Sequence, residues 1–327
     1  MHRKTDKMKR PIIFCLISIY LLISVPGSLF SQNKIFITET SNFNLTIKDE
    51  LIPYRLFSIF ILPAEKFTVK NNNHDQQIHL IFNSGTIRHL NDNEWECIPP
   101  DIPGIYSIKI YHPETKDSVY INCVVMVPAK QIIDGFLNGY HIGTYPKIPL
   151  KNLPIYKPPA GFIEVTKENE NIYLSPHFQL KQFTCKQKSS YPKYTVLKER
   201  LISKLEFLLE QVNISGIHCS TFAILSGYRT PYYNHLIGNV KYSRHIYGGA
   251  ADIFIDEYPK DNMMDDLNRD GKIDFMDAKV LYKLIDSLYG KSFYERFIGG
   301  LGRYKKVKTH GPFVHVDVRG FRARWGI

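Results

Sequence analysis

The 327-residue sequence predicts an all-β domain followed by a domain of mixed α and β structure. Short stretches of alternating apolar and polar residues, each bounded by turn-forming residues, fill the first part. The second part holds one long apolar stripe with helical spacing, followed by short apolar strands. Hydrophobic residues make up 44% of the chain, as in folded globular proteins, so disorder is not expected.

The first 31 residues have the layout of a secretory signal peptide, with a basic start, an uncharged apolar run over residues 11–25 and small residues up to Ser31. Leu29 makes a poor cleavage site, and an apolar run counted through Phe30 reaches the ~20 residues that can span a bilayer. A cleaved signal peptide and an uncleaved N-terminal membrane anchor therefore both stay open. Either one places the remainder in an extracytoplasmic space, in the periplasm or at the cell envelope.

The chain carries a formal net charge of +11, of which about +7 belongs to the part after the N-terminal segment. A basic surface on an exported protein suits an anionic partner such as a cell-wall polymer or a lipid surface. A mildly basic surface that serves only solubility is an equal alternative. No motif for binding RNA or DNA accompanies the charge, so no nucleic-acid partner is predicted.

Four cysteines follow the N-terminal segment, namely Cys97, Cys123, Cys185 and Cys219. The sequence contains no C-x-x-C pair, so a metal site made of thiolates is not expected. In an oxidising compartment the spacing allows a Cys97–Cys123 bridge and a Cys185–Cys219 bridge, one in each domain. Buried free thiols are the alternative.

Residues 33–128 predict a small β-sandwich of immunoglobulin-like size, because short alternating strands recur between turn signals. The stretch "PGIYSIKIYHPETKDSVYINCVVMV" has the form of its last hairpin. This region shows no cluster of His, Asp or Glu that could carry a reaction, so a spacer or docking role is expected. Residues 129–172 are a connector in which recurrent prolines stop regular helix, while interleaved aromatic residues favour packing along the neighbouring domains.

Residues 173–327 hold the predicted catalytic domain. A helix is predicted from an apolar stripe whose members fall at i, i+4, i+8, i+11, i+12 and i+15. The stripe consists of Leu197, Leu201, Leu205, Leu208, Leu209 and Val212. The stretches "TFAILSGYRT", "GAADIFID" and "FVHVDVRG" predict three short strands.

Three residues of this domain could bind zinc. His245 and Asp252 flank the small residues "YGGAA", whose tight turn can bring a residue before it and one in the following strand to a single ion. His315 could supply the third ligand, as in catalytic zinc sites that keep one position for water. Period 2 puts Asp317 on the same strand face as His315, and His310 lies upstream in a loop that could fold over the metal.

The motifs "SGYRTPYYN", "SRHIYGGAADIFID", "GGLGRY" and "FVHVDVRGFRARWG" resemble, in order, those of the M15 zinc peptidases, in particular the D-Ala-D-Ala carboxypeptidase-like and peptidoglycan endopeptidase branch. The resemblance covers about residues 173–327 and implies a small α+β domain with an antiparallel sheet. It implies that His245, Asp252 and His315 bind zinc. It also implies that Arg229 binds a substrate carboxylate or the oxyanion, and that Ser243 holds the substrate backbone.

The sequence departs from this family at the general base. Many members carry a Glu a few residues before the last ligand, where this chain has Pro312, and Phe313 stands where other members have a second His. His310 matches an upstream His of some branches. The base is therefore left open between His310 and Asp317, and a domain without a base would bind peptidoglycan without cutting it.

A second cation site is predicted between Asp252 and His315, in an insertion over residues 260–290. Side chains with oxygen atoms occupy positions 1, 3, 5, 9 and 12 of a loop that has Gly271 at its sharp turn, which is the spacing of an EF-hand. The loop ends in Asp, as in the dockerin-type loops that it resembles, and an acidic turn without an ion is the alternative. The predicted calcium ligands are Asp266, Asn268, Asp270, the carbonyl of Lys272, Asp274 and Asp277.

The sequence thus predicts an exported metallopeptidase with zinc and calcium as cofactors. This hydrolase would cut a peptide bond in the stem peptides of peptidoglycan, as a D-Ala-D-Ala carboxypeptidase or a murein endopeptidase. Two alternatives stay open: a non-catalytic, zinc-containing wall-binding protein that has lost the base, and an envelope protein in which zinc only stabilises the fold. The sequence specifies neither the bond that is cut nor the oligomeric state nor the partner of the β domain.

Overall fold

The computed structural model describes residues 39–74 and 77–326. The predicted signal peptide or membrane anchor lies outside these residues. Contacts place all of these described residues in one compact unit. Within the described ranges, no helix combines the length and the apolar character needed to cross a membrane.

The first part of the unit is built from two β-sheets. One sheet has the strand order β2-β1-β4-β7-β6 and the other has the order β3-β9-β8-β5. Pairing is antiparallel except between β3 and β9, which run parallel. The strands are β1 (Thr40–Ile47), β2 (Glu50–Tyr54), β3 (Leu56–Ile61), β4 (Phe67–Asn71), β5 (His79–Ile81), β6 (Thr86–Asn91), β7 (Glu94–Ile98), β8 (Gly104–Tyr111) and β9 (Ser118–Val125).

Alternation of side chains decides which face of these strands is buried. In β1, Phe43, Leu45 and Ile47 are buried while the residues between them are more exposed, as period 2 requires. Both sheets bury their apolar faces in one hydrophobic cluster. An all-β region at this place is therefore confirmed, whereas its immunoglobulin-like character stays a prediction.

The following segment holds short strands and single turns rather than a long helix, in keeping with its prolines. Its elements form a three-stranded sheet of order β10-β13-β16 and two hairpins, β11-β12 and β14-β15. The bounds are β10 (Val127–Pro128), β11 (Phe136–Leu137), β12 (Tyr140–His141), β13 (Gly161–Val165), β14 (Tyr173–Ser175), β15 (Phe178–Gln179), α1 (Leu180–Phe183) and β16 (Lys193–Thr195).

The last part carries a five-stranded sheet of order β17-β18-β20-β19-β21, in which only β19 and β21 pair in parallel. Helices α2 and α4 contact each other, and α4 packs on β19 and β20. The chain is therefore of mixed α+β class. The elements are α2 (Glu199–Ile214), β17 (Ala223–Ser226), α3 (Pro231–Leu236), β18 (Ala250–Phe254), α4 (Phe275–Asp286), β19 (Gly300–Tyr304), β20 (Phe313–Asp317) and β21 (Ala323–Trp325).

Helix α2 confirms the predicted stripe from Leu201 to Val212, whose residues are fully buried. Leu197, the first residue of the predicted stripe, is also buried but precedes the helix, which begins at Glu199. It also joins the two parts of the unit. The carboxylate of Glu199, in its first turn, accepts hydrogen bonds from the backbone N–H of Phe60 (3.0 Å) and from Lys48 (3.1 Å). The two N-terminal sheets therefore pack directly on α2, the long helix of the part that carries the five-stranded sheet β17-β18-β20-β19-β21.

All four cysteines are buried and carry free thiols in the structure. Cys97 on β7 and Cys123 on β9 face the core shared by the two sheets. Burial raises the pKa of both thiols to about 12. Of the two sequence-based alternatives, the structure thus contains the buried thiols and neither disulfide.

Candidate metal centre

Backbone register brings the three predicted zinc ligands together. Asp252 in β18 lies directly opposite His315 in β20 on neighbouring antiparallel strands. His245 lies in the short helical turn Arg244–Tyr247 that precedes β18. That turn ends at Gly248, whose φ of +65° and close approach to the Val196 carbonyl leave no room for a side chain, because a Cβ there would lie 2.4 Å from the carbonyl oxygen.

Three donor atoms of this triad converge on one point. His245 Nε2 lies 3.2 Å from Asp252 Oδ1 and 3.2 Å from His315 Nδ1, and His315 Nδ1 lies 2.8 Å from Asp252 Oδ1. Tetrahedral zinc with bonds of about 2.0–2.1 Å requires donor atoms roughly 3.3 Å apart. The spacing and the two-nitrogen, one-oxygen donor set therefore fit a zinc ion.

Both imidazoles are oriented by their second nitrogen. His245 Nδ1 lies 2.7 Å from the carbonyl oxygen of Gly227, and His315 Nε2 lies 3.2 Å from Asp317 Oδ2. Histidines that bind metals are held in this way, since the outer hydrogen bond fixes both the tautomer and the ring plane. The same contacts leave the Nε2 of His245 and the Nδ1 of His315 to face the centre of the triad.

The charges in the triad shift the pKa values of its members. Burial lowers the pKa of His245. Burial also opposes the charged forms of His315 and Asp252. At Asp252 the charge and hydrogen bond of His245, followed by those of His315, outweigh burial, and at His315 the hydrogen bonds and charges of Asp252 and Asp317 outweigh it. The pKa of His315 is raised, and the pKa of Asp252 is held well below its usual range. The site therefore presents an ionised carboxylate beside two imidazoles, which is a ligand set that a divalent cation can use.

The structure places Asp317 behind His315, with its carboxylate fully engaged. It accepts hydrogen bonds from the N–H of Gly300 (2.8 Å) and from Arg319 through Nε (3.0 Å) and Nη2 (2.6 Å). Burial would raise the pKa of Asp317, but His315 and Arg319 hold it well below its usual range. With no solvent exposure and both oxygens occupied, this carboxylate is suited to orienting His315.

Arg229 contacts the triad directly. Its Nη2 donates to Asp252 Oδ2 at 2.6 Å, and its Nε donates to Ser226 Oγ at 2.8 Å. Asp252 thus bonds Arg229 through one oxygen and faces the two imidazoles with the other. A second cation, Lys186, was not identified from the sequence; burial lowers its pKa, and it interacts electrostatically with Asp252 and Arg229.

Aromatic residues form one wall beside His315. The rings of His315 and Trp325 lie 5.1 Å apart, and Trp325 Nε1 donates to the hydroxyl of Tyr304 at 2.7 Å. Tyr304 stacks on Phe313 at 4.5 Å. Gly302 in β19 makes room for the indole, because a Cβ there would lie 2.2 Å from Trp325 Nε1. The glycines of "GGLGRY" and the Trp of "ARWG" therefore belong to one packing arrangement, which spacing alone did not indicate.

The two other predicted residues, His310 and Ser243, do not join the triad. His310 is in the loop between β19 and β20, where its Nδ1 lies 2.7 Å from the Gly311 carbonyl and its ring meets Phe313 edge-on at 5.0 Å. It lines a cleft of about 530 Å³ between that loop and residues 261–264. Ser243 is buried and directly precedes the turn that carries His245.

The predicted calcium loop folds as a compact turn. The Asp266 carboxylate accepts the N–H groups of Asp270 (3.2 Å) and Gly271 (2.7 Å), and Asn268 Oδ1 accepts the N–H of Asp270. Asp277 is buried and accepts three backbone N–H groups, including that of Asp274, which caps α4.

Nothing in this loop gathers acidic ligands as the zinc triad does. Among the described residues, His245, Asp252 and His315 are the group of His, Cys, Asp or Glu whose ligand atoms all lie within 4.8 Å of one another. Lys272 directs its backbone N–H to Asp270. Calcium binding by the loop therefore stays a prediction.

Comparison with known proteins agrees with the chemistry of the triad. No curated protein is a significant match to the chain. Among solved structures, the M1 domain from titin is similar with 20% identity and a TM-score of 0.16, over 21% of this chain and 87% of that one; a likeness at that score supports no inference about fold. The family model described as Peptidase M15 matches residues 176–275, a range that includes Arg229, Ser243, His245 and Asp252 but ends before His315. This part of the chain is thus similar to the M15 peptidases, which supports peptidase activity.

Proposed function

We propose that the protein is a zinc-dependent peptidase that hydrolyses a peptide bond in the stem peptides of peptidoglycan. The observation that carries the proposal is the convergence of His245 Nε2, Asp252 Oδ1 and His315 Nδ1 at the spacing that zinc requires. The match of residues 176–275 to the M15 peptidases supports the reaction class. A zinc ion held there would act as a Lewis acid toward the scissile carbonyl and would lower the pKa of water.

The residues around the triad would then have separate tasks. Asp317 keeps His315 in the tautomer whose Nδ1 faces the centre, because its Oδ2 accepts a hydrogen bond from the Nε2–H of His315. Arg229 neutralises Asp252 and carries the positive charge that a substrate carboxylate or a developing oxyanion requires. Lys186 adds a second positive charge beside Arg229. Ser243 is assigned to the substrate backbone.

Proton transfer is assigned to His310 rather than to Asp317. The Asp317 carboxylate is buried and bonded to Arg319 and Gly300, which leaves neither oxygen for a water molecule. His310 lines an open cleft next to Phe313, two residues from His315. An imidazole has one nitrogen that can accept a proton and one that can donate it, so it can serve in both steps of a hydrolysis.

Calcium is proposed to order the insertion that carries the Asp266–Asp277 loop. This insertion separates β18 from β19 in the chain, and α4 at its end packs on β19 and β20. Removing calcium while zinc stays saturating should therefore lower turnover. Unchanged turnover would contradict this part of the proposal. The N-terminal segment would place the enzyme outside the cytoplasm, with membrane attachment if it is not cleaved.

The decisive experiment incubates the full chain with purified sacculi at saturating zinc. Release of D-Ala would indicate a carboxypeptidase, and new amine termini within cross-links would indicate an endopeptidase. His245→Ala should abolish either product while leaving the unfolding temperature close to that of the metal-free parent. A folded, zinc-loaded protein that releases neither product would contradict the proposal.

The second candidate is a wall-binding protein that does not cut its ligand. Pro312 and Phe313, at positions where many M15 members have polar catalytic groups, favour it. It predicts that sacculi bind the protein and that neither D-Ala nor new amines appear over hours of incubation.

If His245→Ala unfolds the five-stranded sheet that carries the triad, zinc has a structural role instead.

A further inference from the structure

A second groove of about 600 Å³ lies beside the metal centre, between connector residues 141–147 and helix α3. The two walls are tied together, since the N–H of Tyr232 donates to the Ile142 carbonyl at 3.0 Å. Gly143 lets them meet, because a Cβ there would lie 2.6 Å from the Tyr232 nitrogen. We call this the aromatic groove. The lining residues used below are His141, Lys147, Tyr232, Asn234 and Lys241.

Three rings stack at this groove and stay partly exposed. Phe136 and His141 have ring centroids 4.3 Å apart, and His141 and Tyr232 have centroids 3.8 Å apart, with interplanar angles of 16° and 22°. Phe136 is 43% exposed and Tyr232 is 37% exposed. An exposed aromatic cluster on a folded protein is typical of a binding surface. Flat rings suit ligands with a flat apolar face, such as the C–H face of a sugar ring.

One buried acceptor in the lining has no partner. Asn234 is 3% exposed, and its Nδ2 donates to the Val240 carbonyl at 3.0 Å. Its Oδ1 has no hydrogen-bond partner among the described residues. Most buried polar atoms are hydrogen-bonded in folded proteins. This oxygen has no solvent-exposed surface, so a ligand donor such as an acetamido N–H or a sugar hydroxyl could reach it only after the Asn234 side chain turns toward the groove.

The charge of the groove is positive. Lys147 and Lys241 are exposed among its lining residues, and no Asp or Glu contributes to the lining. This balance favours a ligand with a carboxylate over a neutral one. The number of cations is small, however, and they do not form a track of the kind that follows a phosphate backbone.

The groove and the proposed active site are built from neighbouring stretches of the chain. Tyr232 follows Arg229 by three residues, so their Cα atoms lie within roughly 11 Å of each other, and Arg229 bonds Asp252. Ile246, which also lines the groove, directly follows His245. A ligand that reaches the metal centre with one end can therefore occupy the groove with the other.

We infer that the aromatic groove binds the glycan part of the substrate, an amino-sugar strand that carries carboxylates and acetamido groups. A sugar ring stacks on Tyr232, and the sugar carboxylate meets Lys147 or Lys241. The identity of the glycan as that of peptidoglycan rests on the proposed function. The enzyme then prefers stem peptides that are still attached to glycan.

The test titrates the zinc-loaded full chain with the disaccharide N-acetylglucosaminyl-N-acetylmuramic acid, which contains no peptide bond, and follows binding by calorimetry. Tyr232→Ala should weaken binding at least tenfold, whereas Tyr232→Phe should retain it because the ring remains. Tyr120→Ala is the matched control, since Tyr120 on β9 is 44% exposed and lies in the N-terminal sheets. An N-acetylglucosamine dimer, which lacks the carboxylate, should bind more weakly than the muramyl disaccharide.

A kinetic comparison separates this inference from the proposed function. The ratio of kcat/KM for a disaccharide-linked stem peptide to that for the free peptide should exceed ten, and Tyr232→Ala should bring it near one. Hydrolysis of both substrates at equal rates with no disaccharide binding would overturn the inference and leave the peptidase intact. Disaccharide binding without hydrolysis of either substrate would support the inference about the groove and contradict the proposed peptidase function. Tighter binding of a short oligonucleotide than of the disaccharide would also overturn the inference.

Discussion

Replacement of Asp317 by Asn tests how the metal centre is supported. The substitution keeps the shape of the side chain and removes its charge. Asp317 Oδ2 faces His315 Nε2 at 3.2 Å, and the same carboxylate takes the Arg319 guanidinium at 2.6–3.0 Å. An amide offers one acceptor where the carboxylate has two, so one donor of the set loses its partner.

Two magnitudes follow from this geometry. Loss of one partner from a buried ion pair costs about 3–5 kcal/mol. We expect the lower end, about 3 kcal/mol, since the Arg319 side chain is still 17% exposed and can recover some hydration. Loss of the group that orients a metal-binding His lowers metal affinity by about 10- to 100-fold. We therefore expect Asp317→Asn to remain folded and to bind zinc at least tenfold more weakly.

The assay combines urea unfolding with competition for zinc against a chromophoric chelator. Asp117→Asn is the matched control, because Asp117 also pairs with an arginine, Arg55, and its side chain is only 9% exposed. Asp117 directly precedes β9, in the N-terminal part of the unit. The control should lose stability without a change in zinc affinity.

One result would refute the reasoning. If folded Asp317→Asn binds zinc within twofold of the parent while kcat falls by orders of magnitude, Asp317 moves protons and does not orient His315. Full occupancy by zinc should be established before kcat is measured, so that weak metal binding is not mistaken for loss of a base.

The other predictions concern groups outside the triad. Burial lowers the pKa of Lys204 to about 7. Between about pH 7 and pH 10.5 the unfolded chain therefore binds a proton that the folded chain has released, so the free energy of unfolding should rise with pH across that window. Lys204→Met should remove this rise in urea titrations. Asp277→Ala leaves three backbone N–H groups without their acceptor and should destabilise the unit by at least about 2 kcal/mol, measured by the same titration. A thiol reagent at pH 8 should label none of the four buried cysteines in the folded protein and all four after unfolding in guanidinium. Labelling of only two, or of none, after unfolding would reveal disulfides. The four cysteines are Cys97, Cys123, Cys185 and Cys219.

Local patterns were sufficient wherever the structure depends on neighbours in the chain. The stripe from Leu201 to Val212 predicted α2 because helical period and burial coincide there. The turn between His245 and Asp252 was predictable because only small residues fit where Gly248 meets Val196. Period 2 placed Asp317 on the face of His315, and the two side chains do meet.

Contacts between distant segments were beyond the reach of such patterns. Lys204 reads as a surface lysine, yet it is buried and donates to the carbonyls of Phe297 and Asp317 at 2.9 and 2.8 Å. The engagement of Asp317 with Gly300 depends on the register between β19 and β20, which no spacing within either strand specifies. For the same reason the sequence left the base open between His310 and Asp317.

Helix α2 connects the N-terminal sheets to the strand that carries His315. Glu199, the first residue of the helix, accepts hydrogen bonds from Lys48 and from the backbone N–H of Phe60. Little more than one turn later, Lys204 donates a hydrogen bond to the Asp317 carbonyl, on the strand that also carries His315. A fragment from about residue 173 onward would retain every predicted zinc ligand but would expose the apolar side of α2 that the N-terminal sheets cover. Such a fragment should aggregate, so we expect the metal centre to need the N-terminal sheets although they contribute none of its predicted ligands.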